Sequence, residues 1–291
     1  MSDFQPSQAI GASSCKDKKK RKFVANIMAK RAIPRTPLVK DLVFGVPQRD
    51  PREPPLYVLT RLGPSCPYLI AGIDIETHDW VYRTGNKANV GQFGHYSLCH
   101  PDDFDQRIVQ IGWAVGSLGQ AAVVKERIVF PEGFCVSKKA FAKHGISQED
   151  ILKDGINLKT VLSEFLSDMV EVYKKGGRIV SHHLEFDCGI ILGEMKRNEV
   201  PMQSEWCAMA KEGVCTMDPT IGKWVHTCFG RDAGPEATQN TMRLQVLAEW
   251  LVPESRHLRD KAHTAGADAQ LHRLLYFEFL KLACIVPNND L

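Results

Sequence analysis

The stretch YLIAGIDIE, residues 68–76, decides the fold. It is apolar up to its last residues, which reads as a largely buried strand. Its end carries Asp74 and Glu76, and residues two apart on a strand project from the same face, so both acids point the same way. Two carboxylates converging there repel each other and lose solvation, a cost that divalent cations compensate most economically. Taken alone, the pair is also what an ordinary solvated strand end looks like.

Outward from this strand the pattern stays periodic. Residues 107–116 (RIVQIGWAVG) and 121–130 (AAVVKERIVF) read as a second and a third strand, so the three form a meander. From Asn157 to Lys175 the apolar residues Leu158, Val161, Leu162, Phe165, Leu166, Met169, Val170 and Tyr173 recur at helical spacing, and Gly176-Gly177 ends the run. A short strand over Arg178–His182 feeds a helix over Phe186–Asn198, which implies a parallel crossover. Further helices are expected over Thr241–Leu251 and from Ala265 to about Ile285, while Gln203–Gln239 reads as irregular. The fold class is α/β.

The 291 residues are 44% hydrophobic and 24% charged, which excludes collagen-like, coiled-coil and wholly disordered chains. The longest apolar stretch, Leu274–Val286, is broken by Glu278 and Lys281, so no membrane-spanning segment is expected. The net charge of +3 hides an asymmetry, because residues 1–40 hold ten Lys/Arg against two acids. Eight of the 16 prolines lie between Pro34 and Pro67, and proline removes amide donors and stops helices. Residues 1–67 are therefore expected to be a disordered basic arm and extended linker, and 68–291 the folded domain. The run from Lys16 to Lys22 fits a nuclear import signal or a nucleic-acid tether as well as a plain solvated arm. Nine cysteines without a CxxC pair, and no secretory signal before residue 40, point to reduced thiols in nucleus or cytoplasm.

Two more elements carry chemistry. Asp187, in SHHLEFDCGII, falls where a short strand meets a helix, the place where open α/β sheets present ligand groups. In HTAGADA, His263 precedes Asp268 by five residues, and Ala265, Gly266 and Ala267 between them suit close approach by a substrate backbone. Together DIET, SHHLEFD and HTAGAD resemble, in order, the motifs of the DEDDh family of 3′-to-5′ exonucleases, which have a ribonuclease H-like fold. The resemblance covers about residues 68–285. RIVQIGWAV is similar to the family's second strand, KHGISQEDI (143–151) to its His-Gly-Ile segment before a helix, and VCTMD (214–218) to its strand after the second motif.

The resemblance implies a mixed sheet flanked by helices and a two-metal site. Asp74, Glu76, Asp187 and Asp268 would hold two Mg²⁺ or Mn²⁺ ions, and His263 would act as general base toward a metal-bound water. The products would be nucleoside 5′-monophosphates released from 3′ ends of single-stranded RNA or DNA. His263 places the chain in the histidine subtype rather than the tyrosine one. The second motif departs from the family's His-Asn, since His182-His183 stands there. The alternative is a catalytically silent nucleic-acid binder or scaffold on the same fold, but retention of all four acids and His263 favours an enzyme.

Residues 77–104 are long for a connection between neighbouring strands, so this insertion is expected beside the active site. Thr77, Trp80, Arg83 and Lys87, with Tyr82 and Tyr96, are candidates to stack bases and bind phosphates, and the same aromatics fit a self-packed surface loop. Trp206, Cys207, Cys215, Trp224, His226 and Cys228 follow no familiar zinc spacing, which favours core aromatics and buried thiols. A homodimer is compatible with the resemblance, and the choice between RNA and DNA is left open.

Overall fold

The computed structural model describes residues 53–54, 56–62, 69–79, 106–229 and 243–283. The chain divides into two units, Met1–Val46 and Pro47–Leu291, and every described residue belongs to the second. Strand β1 (Ile70–Thr77) lies at the centre of a five-stranded sheet, and its residues are buried along almost the whole length. It pairs antiparallel with β2 (Ile108–Gly116), which pairs antiparallel with β3 (Val123–Ile128), so the expected meander is present. On its other side β1 pairs parallel with β4 (Arg178–Ser181), which pairs parallel with β5 (Val214–Cys215). The sheet order is therefore β3-β2-β1-β4-β5, a mixed sheet flanked by helices.

Ten helices join these strands among the described residues. In chain order they are α1 (Leu56–Leu62), α2 (Lys138–His144), α3 (Gln148–Asp154), α4 (Leu158–Lys174), α5 (Leu184–Arg197), α6 (Gln203–Lys211), α7 (Pro219–Cys228), α8 (Leu244–Leu251), α9 (Arg256–Arg259) and α10 (Ala265–Leu282). The crossover from β3 to β4 runs through α2, α3 and α4. Helix α4 starts at Asn157, whose side chain accepts from the amides of Lys159 and Thr160, and buries Val172 in place of the expected Val170.

The two faces of the sheet have different cores. On one face β1 and β2 pack against α4 and α5, where Trp113 meets Phe165 of α4 edge-on at 5.5 Å and Phe165 meets Trp206 of α6 at 5.4 Å. Such edge-to-face pairs add about 1 kcal/mol beyond their burial. The opposite face is covered by α10, whose Leu271, Leu275, Tyr276, Phe279 and Leu280 pack with Ile221, Trp224 and Val225 of α7 and with Leu244 and Leu247 of α8.

Two expectations change. The proline-rich segment is not extended throughout, because Leu56–Leu62 is helical, with Val58 and Leu62 fully buried and the Tyr276 hydroxyl donating to the Leu62 carbonyl at 2.7 Å. The irregular stretch after Gln203 contains α6 and α7. Helix α7 is started by Asp218, whose carboxylate accepts from Thr220 N–H at 2.8 Å, with Pro219 in the first turn. No helix among the described residues is long and apolar enough to cross a membrane.

Candidate active site

The geometry begins where β1 and β4 part. Their pairing covers Ile70–Gly72 and Arg178–Val180, so beyond Gly72 the two strands leave a cleft at their carboxyl ends, the usual binding place of such sheets. Asp74 and Glu76 stand in this cleft, on the sheet face that α10 covers. Opposite them in β2 stand Gly112 and Gln110.

Helix α10 reaches these acids because small residues let two backbones meet. A Cβ on Gly72 would lie 1.9 Å from the Ala269 carbonyl oxygen, and one on Gly112 would lie 2.2 Å from the Ala265 carbonyl carbon. Ala265, Ala267 and Ala269 are buried against the sheet. The expectation that Ala265, Gly266 and Ala267 open space for a substrate backbone is thereby corrected, since they bring the helix itself onto the strands. The sheet also caps the helix: Gln110 Oε1 accepts from Ala265 N–H at 2.9 Å and Glu126 Oε2 from Gly266 N–H at 2.7 Å. These side chains satisfy amides that Thr264, whose hydroxyl donates to the Lys261 carbonyl instead, leaves open.

The first turn of α10 thus holds Asp268 over β1. Its Oδ2 accepts from the His263 N–H at 3.1 Å, while its Oδ1 is buried without a hydrogen-bond partner. His263 has φ of 66°, in the left-handed region that costs a non-glycine residue about 1 kcal/mol, and the Asp268 bond offsets that strain. Glu76, His263 and Asp268 bring one ligand atom each to within 4.8 Å of one another. Asp187 enters from the first turn of α5, directly after β4, and its carboxylate accepts from the Ser181 hydroxyl, which in turn accepts from His183 N–H at 3.2 Å.

All five residues that carry the family resemblance are thus drawn to one place. Glu76, Asp187 and Asp268 are each less than 5% exposed, and the Asp74 side chain is 16% exposed. Burial, and then the neighbouring acids, raises the carboxyl of Asp74 well above its ordinary range, chiefly through Asp187 and Asp268. Burial takes Glu76 to about 7, with Asp268 adding to the rise. It takes Asp187 to about 8 against the pull of the Ser181 bond, and Asp268 to about 6. The opposing charge felt by all four is the ammonium of Lys143, 3.9 Å from Glu76 Oε2. Four crowded carboxylates facing one cation, with an unpartnered oxygen on Asp268, fit hard divalent cations, which take oxygen ligands. His263 is lowered by burial and by Lys143, which favours its neutral, proton-accepting form at neutral pH.

Sequence reasoning left three contributors without a role. Lys143 lay inside the quoted KHGIS segment. Ser181 begins the second motif. His272, four residues after Asp268 on the same helix face, donates from Nδ1 to the Ile73 carbonyl at 2.7 Å and turns Nε2 toward Asp74 Oδ1 at 3.9 Å. Burial, with His182 alongside, pushes His272 down to about 3, so it is neutral.

Of the substrate-binding candidates, Thr77 is described: its hydroxyl donates to the Asp79 carbonyl at 3.0 Å. Trp80, Arg83 and Lys87, with Tyr82 and Tyr96, lie outside the described residues. In the segment read against zinc, Trp206 and Trp224 are core residues, His226 packs edge-on to Trp250 at 5.2 Å, and Cys207, Cys215 and Cys228 form no disulfide. In the second motif His182 Nδ1 bonds Thr216 Oγ1 at 2.9 Å and stacks on His272 at 6.0 Å, whereas His183 is exposed.

No family model and no curated protein matches the sequence. Solved structures do match in fold. Exonuclease I, in a structure described as suggesting how processivity is achieved, aligns at TM-score 0.50 and 16% identity over 73% of this chain. E. coli exonuclease I in complex with a dA16 oligonucleotide aligns at 0.50 and 15% identity over the same share. This chain spans 40% of the length of exonuclease I in both. The nuclease domain of 3′hExo, a DEDDh family member bound to rAMP, aligns at 0.49 and 15% identity, covering 77% of this chain and 96% of that domain. These likenesses show the fold: the mixed sheet flanked by helices implied by the motifs is the fold of this chain, and exonuclease I shares it.

Proposed function

We propose that the chain is a metal-dependent 3′-to-5′ exonuclease that hydrolyses phosphodiester bonds of single-stranded nucleic acid and releases nucleoside 5′-monophosphates. The observation that carries this reading is the convergence of Asp74, Glu76, Asp187 and Asp268 from three elements, with Asp268 Oδ1 buried and unpartnered. A binding scaffold has no need of four mutually repelling acids, whose repulsion costs stability. Two Mg²⁺ or Mn²⁺ ions held by these carboxylates would supply a polarised water and positive charge for the departing 3′ oxygen.

The protein's own groups have distinct tasks in this reading. His263, held at the cleft by its backbone bond to Asp268, takes the proton of the attacking water. Ser181 and Gln110 act behind the acids: Ser181 orients the Asp187 carboxylate, and Gln110 ties α10 to the sheet. The insertion candidates Thr77, Trp80, Arg83 and Lys87 are assigned to the substrate strand.

Product identity tests the reading. Single-stranded RNA and DNA digested with Mg²⁺ are expected to yield nucleoside 5′-monophosphates by chromatography, with none formed in EDTA. Products ending in 3′-phosphates, or EDTA-resistant turnover, would contradict it, and binding without any product would favour the silent-binder alternative.

A further inference from the structure

Helix α2 is pinned across the carboxyl end of β1 at both of its ends. Ahead of it, Ser137 N–H donates to the His78 carbonyl at 2.7 Å. At its last turn, His144 bonds the Thr77 carbonyl through Nε2 at 3.2 Å and accepts from Ile146 N–H through Nδ1 at 3.0 Å. Both ring nitrogens are engaged, which sets the imidazole as the Nε2–H form. The Ser137 hydroxyl caps Ala140 N–H at 3.1 Å, and Gly145 closes the helix with φ of 72°, a conformation its missing Cβ allows. Seven residues are too few to hold a helix unaided, so these bonds fix its place.

The residue set down by this arrangement is Lys143. Its Nζ lies 3.9 Å from Glu76 Oε2, and its side chain is 45% exposed. That separation is longer than the roughly 2.8 Å of a closed ammonium–carboxylate hydrogen bond. The ammonium is therefore not committed to Glu76, and among the described residues it makes no hydrogen bond. It stands at the lip of the acidic cleft, one side toward the carboxylates and the other toward solvent.

We propose that Lys143 is the phosphate-binding cation of this site, donating to a non-bridging oxygen of the 3′-terminal linkage, and that its charge weakens the site's hold on divalent cations. This rests on the exonuclease reading of the four acids. The two effects have opposite signs, which separates the proposal from a merely structural role. Removing the charge tightens metal binding, because a like charge beside the ions is lost, and weakens turnover, because the substrate phosphate loses a donor.

The test compares wild type, Lys143→Gln and Lys143→Arg in two assays. Calorimetric titration with Mn²⁺, without nucleic acid, is expected to show the Gln variant binding about fivefold more tightly, after allowance for solvent screening of a half-exposed charge. Steady-state cleavage of a single-stranded oligonucleotide at saturating Mn²⁺ is expected to show kcat/KM lower by about tenfold or more. Arg restores both to within about threefold, and both variants melt within about 2 °C of wild type. A Gln variant with unchanged Mn²⁺ affinity and unchanged kcat/KM overturns the proposal. So does a joint loss of affinity, turnover and melting temperature that Arg does not rescue. Wild-type protein that cleaves nothing overturns the exonuclease reading and the phosphate role with it, and the Mn²⁺ titration then decides the remaining claim about metal affinity.

Discussion

The backbone N–H of His263 donates to Asp268 Oδ2 at 3.1 Å, so the loop histidine and the helix acid are held as one unit while Asp268 Oδ1 stays unpartnered. The imidazole position depends on a left-handed backbone at residue 263, and the acid that fixes that backbone is itself a candidate metal ligand. The proposed proton acceptor and the candidate metal site are thereby coupled through a single carboxylate.

His263→Asn separates the two roles, because Asn tolerates the left-handed backbone and keeps its N–H. Melting temperature and Mn²⁺ affinity are expected to stay near wild type, while kcat falls by about 10²–10⁴. Loss of Mn²⁺ binding in this variant, measured by calorimetry, would make His263 a ligand rather than a base.

The carboxyls give the metal-free protein a definite pH dependence. A raised carboxyl binds its proton more tightly in the folded than in the unfolded state, so its contribution is favourable below the unfolded value and is lost as pH rises. The loss runs from near 4 up to about 6 for Asp268, about 7 for Glu76 and about 8 for Asp187. In EDTA the melting temperature is therefore expected to fall between pH 5 and 8, and Mg²⁺ or Mn²⁺ is expected to restore it most at the alkaline end, where the carboxylates are ionised without having to release protons. A metal effect that is constant across this range would count against the acid cluster as the binding site.

Asp74→Asn removes one repelling charge from this cluster. Without metal the variant is expected to be at least as stable as wild type, because burial and the neighbouring acids already disfavour a charge at this position, and to gain little from Mn²⁺. Thermal melts with and without Mn²⁺ check both statements, and a destabilised metal-free variant would show that the charge is not a burden on the fold.

Gly112→Ala tests the seat of α10. The added Cβ meets the Ala265 carbonyl at 2.2 Å and the Gly266 nitrogen at 2.4 Å, which are backbone atoms that cannot rotate away. A loss of about 3 kcal/mol is expected, with weaker Mn²⁺ binding because Asp268 shifts with its helix. Wild-type melting and metal affinity would mean that the helix does not need this approach.

Truncation distinguishes arm from fold. Deleting residues 1–40 is expected to leave the melting temperature unchanged and to make nucleic-acid affinity weaker and less salt-dependent. Deleting residues 1–63 removes Val58, Leu62 and the Tyr276–Leu62 bond, and is expected to cost several degrees. Equal melting curves for the two truncations would show that α1 contributes nothing to the core.

The strands and long helices were legible because their signals are local. β1, β2 and β4 are short apolar runs, and α4 ends at a Gly-Gly stop. The site acids were legible through their motifs, which fix both residue type and chain order. Helices α1, α6 and α7 were missed because each is short and takes its stability from packing: Leu62, Trp206 and Trp224 become core only when distant elements cover them. The role of Lys143 was hidden for a different reason. Its nearness to Glu76 depends on His144 and Ser137 tying α2 to β1 across some 60 residues of chain, which no local pattern records.

The most direct measurement is cleavage of 5′-labelled single-stranded RNA and matched DNA with Mg²⁺, with EDTA, and with the Asp74→Asn protein. A ladder that shortens from the 3′ end one nucleotide at a time is expected with Mg²⁺, and none in EDTA or with the variant. Loss of label as a mononucleotide from the 5′ end, or a ladder that persists with Asp74→Asn, would contradict it.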